Sequence, residues 1–459
     1  MLETIDTILK TQRKSFSREK TFNWAVIVIL GFMVREDTLG VTSIIRSLYL
    51  SPGTYENMIH FFHSDGWCLQ RFYQVWWSAV YTHSPVILQN GRLVVLGDHT
   101  DVSKDGRKMP CVRRMKQSSE TSSKPNFYRG HKWGFISLLL GTTEKISSIP
   151  LSGEMHQKAE VVGIAEDKSP ITERIVAMAI AAANHFEISV YLILDRFFAV
   201  KTVFNLAYNN VSCYAVLILT LAKSSYVAYE KPTLIPGKKK KKYGNKIKLF
   251  NRFSELKGCT QEVLVYGKKE IALVYGEVLL WKPIGRELLF IWAETSRGRI
   301  VLMSSDLELE PIAGVELYCK RAKIESLFSV FKNLLGGFGY HFWSKHLESQ
   351  SRNPKKQKQR KLKTSDAASV VRTRSAIERF VALQIVACGI LQILAFKFSE
   401  DISAKGKFWM RTISSKVPSE RVAKRAILFS LISALLKNKR LAMIDIIKQK
   451  QSSDTKIEN

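Results

Sequence analysis

Tyr318-Cys-Lys-Arg-Ala-Lys-Ile-Glu-Ser-Leu-Phe-Ser-Val-Phe-Lys332 is the stretch on which the reading of this chain turns. On a helix that advances about 100° per residue, with Tyr318 at zero, Arg321, Glu325 and Lys332 fall at roughly −60°, −20° and −40°. A phenol, two cations and a carboxylate therefore share one face. Ile324, Leu327, Phe328, Phe331, Leu334 and Leu335 gather on the adjoining face, and Gly336-Gly337 supplies a stop. A carboxylate flanked by cations on a half-buried helix suits phosphate esters better than plain solvation does.

Upstream, two apolar runs end on acids. Arg92-Leu-Val-Val-Leu-Gly-Asp98 and Ile188-Ser-Val-Tyr-Leu-Ile-Leu194, followed by Asp195, both have the composition of buried strands. Between them lie a basic loop (Asp101 to Tyr128), Arg129-Gly-His-Lys-Trp-Gly134, a strand over Phe135–Leu140, and a helix opened by Ser169-Pro170 and running to about His185. After Asp195 the pattern predicts a helix over Phe197–Tyr208 and a strand over Tyr214–Leu221. Residues 223–298 have another texture, a β-rich insertion. Glu270–Trp281 and Arg286–Trp292 alternate aliphatic and aromatic residues around the Lys-Pro-Ile-Gly285 turn. A strand over Gly298–Met303 leads back to the opening helix. A lone strand-terminal Asp often only caps the next helix. Asp98, Asp195 and Glu325 together make an oxygen-only set of the kind that suits Mg²⁺ or Mn²⁺. Two such ions about 3.5–4 Å apart can activate a hydroxyl and stabilise a leaving oxygen in phosphoryl transfer.

The flanks read as helical. In residues 1–90, Phe22–Arg35 is an apolar helix and Gly40–Leu48 a short one; Ser51 as cap and Pro52 in the first turn launch Thr54–Phe62. Short helices joined by a tight turn fit either a helix-turn-helix DNA reader or a plain helical bundle. Arg352–Lys363 is a basic linker, Ala376 onward is helical, and Gln449–Asn459 is a polar tail expected to be disordered. Phe380–Phe396 is apolar but short for a membrane span and carries Gln384 and Gln392, so it is expected to be a buried helix, with no membrane partner. Met1–Lys20 has no apolar signal segment.

Charge points to the partner. Lys and Arg number 70 against 40 Asp and Glu, a net +30, which implies a polyanion, with nucleic acid the first candidate. Lys238–Lys242 beside Tyr243 and Arg352–Lys363 are expected to grip DNA backbone in a salt-dependent, sequence-independent way. Six cysteines without a CxxC pair fit a reducing cytoplasm, and His60, His63 and Cys68 lack the fourth ligand of a zinc site.

The spacing Tyr318-x2-Arg321-x3-Glu325-x6-Lys332 resembles the Tyr-Arg-Glu-Lys signature of bacterial insertion-sequence transposases of the DDE class. Gly97-Asp98-His99-Thr100, Leu194-Asp195-Arg196-Phe197-Phe198 and the β-rich insertion between the second and third acids are similar to that family's other features. The resemblance covers about residues 90–345. It implies an α/β fold: a ribonuclease H-like mixed-sheet core in two parts, 91–222 and 299–345, interrupted by the β-rich insertion at 223–298. A helical DNA-binding region (1–90) and a C-terminal helical region (346–459) would flank it. It further implies that Asp98, Asp195 and Glu325 are catalytic metal ligands for two Mg²⁺ ions, with Mn²⁺ able to substitute. Tyr318, Arg321 and Lys332 would touch phosphates at the transposon end, and Arg129 and Lys132 would touch DNA or support the site. Trp292 or Trp281 would be candidates to hold a flipped base, with a core position as the alternative that their apolar strand patterns offer. Trp133 is expected to pack. The implied activity is cut-and-paste transposition by cleavage and strand transfer at terminal inverted repeats. It would take place on double-stranded DNA, by a homodimer in a synaptic complex, in a bacterial, nucleoid-associated setting. A catalytically silent, transposase-derived DNA-binding protein is the alternative.

Overall fold

A computed structural model describes residues 1–116, 126–142, 145–156, 169–210, 213–232, 241–256, 259–351, 361–362, 366–405 and 416–451. The chain begins with helices α1 (Leu2–Thr11), α2 (Glu19–Val34), α3 (Val41–Ser47), α4 (Thr54–His63) and α5 (Leu69–His83). Strands β1 (Leu88–Gln89), β2 (Arg92–Ser103), β3 (Arg113–Lys116), β4 (Phe127–Gly141) and β5 (Ile146–Met155) follow, then α6 (Ile171–Phe186), β6 (Val190–Leu194), α7 (Lys201–Tyr208) and β7 (Val216–Leu221). Next come β8 (Val227–Tyr229), β9 (Lys246–Lys248), β10 (Thr260–Val265), β11 (Lys268–Trp281), β12 (Arg286–Thr295) and β13 (Gly298–Ser304). Helices α8 (Pro311–Lys320), α9 (Ala322–Ser329), α10 (Ala367–Lys397), α11 (Ser399–Lys405), α12 (Glu420–Leu436) and α13 (Ala442–Lys448) complete the described chain.

The described strands form one large mixed sheet whose central order is β5-β4-β2-β6-β7. The first long strand is central, the next two long strands lie to one side, and the strands after the α6 crossover lie to the other, parallel to β2 and to each other. That is the ribonuclease H-like order. From β7 the sheet continues through antiparallel β13, β12 and β11, so the insertion extends the core sheet edge-on.

Two compact units divide the chain, one of Ile87–Asp98 and Ile171–Glu325, the other of Met1–Val86, His99–Pro170 and Ser326–Asn459. In the first unit, β2 and β6 are Val- and Leu-rich without alternation because both faces are covered. The second unit gathers the N- and C-terminal helices around α10, which is buried on every side from Phe380 to Ala395. By length and composition α10 could cross a membrane, and 89% of its most apolar 18-residue window is buried inside the protein. Edge strand β5 escapes sequence patterning because Pro150, Gly153 and its serines look like breakers. The register shifts there, with Ile136 facing Ser152 and Ser137 facing Pro150, so Leu151 is the extra residue of a bulge on β5 that absorbs the irregularity. Its outer carbonyls are paired by side chains. Trp76 Nε1 donates to Pro150 O at 2.9 Å, Trp77 Nε1 to Leu151 O at 3.0 Å and Tyr73 Oη to Gly153 O at 3.1 Å.

Several expectations are corrected. Strand β2 continues five residues past Asp98, and β4 starts at Phe127 rather than Phe135. The helix after Asp195 is a 3₁₀ turn (Arg196–Phe198) followed by α7. Thr54 N bonds the Ser51 carbonyl, and no side chain caps α4. The opening stretch is not one helix: α8 stops at Lys320, α9 begins at Ala322, and Val330–Leu334 forms a π-helical turn. Its apolar face is as expected, with Phe328 and Phe331 each 5.6 Å from the Phe135 ring, and Gly336 takes φ +62° at its end. Lys238–Lys240, most of Arg352–Lys363 and the tail from residue 452 lie outside the described residues.

One buried relay carries a pH signature. Trp133 Nε1 donates to Tyr340 Oη at 3.1 Å, Tyr340 Oη lies 2.7 Å from His131 Nδ1, and His131 Nε2 lies 2.8 Å from Pro110 O. With Nε2 as the donor to the carbonyl, Nδ1 accepts from the phenol and the ring is neutral. Burial pulls the His131 pKa down to about 3, helped by Lys104 and Arg113. The unfolded chain, with its ordinary pKa of about 6.5, takes the proton first. Stability from this group is complete above about pH 6.5 and is lost toward pH 3, at about 1.4 kcal/mol per pH unit. Denaturant unfolding of His131→Gln between pH 7 and 4.5 should therefore show a pH slope shallower than that of the native protein by up to one proton.

Candidate functional site

The site is built where β2 and β6 run side by side. Their parallel register pairs Leu93 with Val190 and Leu96 with Ile193, an offset of 190 − 93 = 97. Extended by two residues, the same offset sets Asp98 level with Asp195 (195 − 98 = 97) on strands about 4.8 Å apart. Gly97 makes this approach possible. A Cβ there would lie 2.7 Å from both Ile175 Cγ2 on α6 and Leu194 Cδ2 on β6. Strand alternation then turns Asp98 to the opposite face.

Asp195 does two jobs in its own loop. Its Oδ1 accepts from Phe197 N at 2.9 Å, capping the 3₁₀ turn, and its carbonyl accepts from Thr220 Oγ1 at 2.6 Å. The capping role expected of a lone strand-terminal Asp is thus present alongside its position beside Asp98.

Arg321 brings in the third acid. It stands in the break between α8 and α9, held by turn-type bonds from its own N to Tyr318 O and from Ile324 N to its carbonyl, both 3.0 Å. Its Nη1 donates to Asp98 Oδ2 at 2.9 Å and its Nη2 to Glu325 Oε1 at 2.6 Å. The Asp98 and Arg321 side chains are 12% and 15% exposed, while Glu325 is 59% exposed. Burial works against the guanidinium's charge, but Asp98, Tyr318, Glu325 and Asp195 outweigh it and raise the Arg321 pKa. Burial pushes the Tyr318 phenol up, and Asp195 adds to that. The three carboxylates of the sequence pattern, and its tyrosine, all act on one guanidinium.

The remaining expected residues are placed differently. Lys332 rides the π-helical turn and donates to Asp101 O at 3.3 Å. Lys132 pairs with Asp101 at 2.8 Å, and buried Arg129 donates to Gln350 Oε1 at 2.7 Å, so both have partners within the fold. Trp292 takes the core position that its strand pattern offered as the alternative. It is 0% exposed, with Nε1 donating to Leu249 O at 2.7 Å, and offers no face to a base. Trp281 is enclosed by Phe204 and Tyr226. Trp133 is buried, the packing position expected of it. An aromatic that sequence reading passed over is Tyr266, 48% exposed at the β10–β11 turn, with the Arg297 guanidinium 4.6 Å from its ring centre. Tyr266-Gly267 between two alternating strands was its available signal, and both residues take the positive φ of a tight hairpin turn.

Oxygen-only donors fit Mg²⁺ or Mn²⁺ by chemistry. Their spacing does not fit: among the described residues no three His, Cys, Asp or Glu side chains cluster closely enough to hold a metal ion. The guanidinium of Arg321 stands between Asp98 and Glu325.

No protein-family model matches the chain, and no curated protein matches it. A cryo-electron-microscopy structure of a piggyBac transposase synaptic complex with hairpin DNA matches at 12% sequence identity and a TM-score of 0.38, over 96% of this chain and 78% of that one. The fold rests on this chain's own strand pairing.

Replacing Trp292 by Phe removes one buried hydrogen bond and should lower stability by about 1–3 kcal/mol. Urea unfolding checks that figure. Fluorescence anisotropy with a labelled duplex should show DNA affinity unchanged; a loss of affinity in the folded variant would restore a DNA-contact role to this indole.

Proposed function

We propose that this chain is a DNA transposase of the Tyr-Arg-Glu-Lys insertion-sequence type. One observation carries the reading: Asp98, Asp195 and Glu325, from a central strand, the neighbouring strand end and a helix, all act on the single guanidinium of Arg321 at the end of a ribonuclease H-like sheet. Oxygen donors of this kind suit Mg²⁺ or Mn²⁺ by chemistry, although with Arg321 between Asp98 and Glu325 no three acids among the described residues cluster closely enough to hold an ion. The chain's own part is positioning. Gly97 lets β2 pack closely against α6 and leaves Asp98 on the opposite face, the β2–β6 offset extended by two residues levels it with Asp195, and the α8–α9 break aims Arg321 at Asp98 and Glu325. Tyr318 and Arg321 supply a phenol and a two-pronged donor for a phosphate at the end of the element. The substrate is double-stranded DNA, both the terminal inverted repeats and the target, bound by a homodimer in the synaptic complex; the net charge of +30 supports that partner.

A second reading, a transposase-derived DNA-binding protein without cleavage, is favoured by the Arg321 bridge, because a cation of the protein itself already satisfies two of the acids. A supercoiled-plasmid nicking assay with Mg²⁺ or Mn²⁺ separates the two. Asp98→Asn, Asp195→Asn and Glu325→Gln should each lose nicking while retaining duplex binding in a gel-shift assay. Retained nicking in any of the three would remove that residue from the site. Absence of nicking by the native protein on its own element ends would favour the silent reading. Duplex binding itself should weaken steeply with salt, with a log–log slope set by the number of phosphates contacted.

A further inference from the structure

We propose that Trp343 is a stacking platform for an unpaired base of single-stranded nucleic acid, set in a strip of cations that holds the strand's backbone. The inference stands apart from the carboxylates. Trp343 belongs to the unit of N- and C-terminal helices, and its role is the same whether or not the chain cleaves DNA. After the π-helical turn the chain runs over the surface with alternating burial: Tyr340, Phe342 and Ser344 are buried, while His341, Trp343 and Lys345 are exposed. Among the described tryptophans Trp343 is the exposed one, at 62%. An indole left in water forgoes the apolar burial that its neighbours Tyr340 and Phe342 obtain.

The platform is firmly seated. Phe342, next to it in the chain, packs against Phe62 at 5.2 Å and Phe380 at 6.2 Å between ring centres. Lys104 Nζ donates to Tyr340 O at 3.0 Å on one side of the indole. On the other, Ser344 N donates to Lys108 O at 3.1 Å, and Ser344 Oγ accepts from His346 N at 3.3 Å. The ring is thus presented on backbone that is already ordered, which lowers the cost of binding. Charge selects the ligand. The Ser344 bond, and a second from Gln350 N to Arg107 O at 3.0 Å, lay the Arg107–Lys108 turn alongside the strip. Together with Lys345 these cations outnumber Asp105 and Glu348, the acids of the same two segments. An aromatic face among cations suits a single strand, whose phosphates lie along the charges while a base lies flat on the ring. In a duplex each base face is covered by its neighbours, so the indole finds a partner only where the strand is unpaired. A second copy of this chain would bring the same cations against these.

Fluorescence anisotropy of the full-length protein with a labelled oligothymidylate of about ten nucleotides, and with a blunt duplex of the same length, tests this. Trp343→Ala, confirmed folded by thermal unfolding, should weaken single-strand binding about tenfold and leave duplex binding unchanged. Trp343→Phe, which keeps a smaller ring, should fall between. Lys345→Gln should flatten the log–log salt dependence of single-strand binding by about 0.7, the share of one phosphate. Added strand should also protect from iodide a tryptophan fluorescence component that Trp343→Phe lacks. Single-strand affinity that survives Trp343→Ala overturns the proposal, and so does a loss shared equally by strand and duplex. If Trp343→Ala instead turns a dimer into a monomer in analytical ultracentrifugation, with strand binding intact, the indole is an interface between copies of the chain and the proposal falls. Duplex binding by the native protein, the partner named under Proposed function, is read in the same titrations, so the failure of either reading is seen separately.

Discussion

Arg321 between Asp98 and Glu325 is the contact on which the site depends. Asp98 and Glu325 share one guanidinium, and without it two like charges would face one another. Arg321 prevents that with two directed bonds and a pKa raised by the acids around it. Truncating one partner of so enclosed a pair would leave a buried charge uncompensated, a loss of about 3–5 kcal/mol.

The sheet gives that contact its precision. Parallel pairing of β2 with β6 over Leu93–Leu96, extended by two residues, sets Asp98 and Asp195 at one level, and a slip of one residue would turn Asp98 to the wrong face. Gly97 is needed here for space rather than for backbone freedom, since α6 and Leu194 fill the volume that any side chain would take. Capping by Asp195 Oδ1 and the bond from Thr220 Oγ1 tie the second acid's loop to β7. Both are rigid, short-range devices, as a site that must hold opposing charges requires.

Elsewhere the same economy recurs in the helical unit. The last carbonyls of the π-helical segment, Leu334 to Gly336, receive Lys424 at 3.2 Å, Gln384 at 3.2 Å and Arg35 at 2.6 Å from three different helices. Burial lowers the Arg35 pKa to about 10 and the Lys424 pKa to about 8, and carbonyl oxygens at a helix end offset part of that cost. Indole and phenol donors of α5 do for edge strand β5 what these cations do for the helix end: they leave its backbone acceptors paired.

By itself the sequence determined the elements and the chemistry. Continuous apolar runs marked β2 and β6, alternation marked β11 and β12, and the Tyr318–Arg321–Glu325 spacing put those side chains within reach of one another, because residues three and four apart share a helix face whether or not the helix runs on unbroken. Tertiary structure alone decided which charges pair. Burial of Trp292, the Lys132–Asp101 pair and the enclosure of Arg129 depend on neighbours far away in the chain, which no local pattern encodes. Strand β5 was illegible because its Pro150 and Gly153 are tolerated only through a bulge and through donors supplied by α5. The ion pair from Arg321 to Asp98 spans 321 − 98 = 223 positions, and only the folded sheet brings its two ends together.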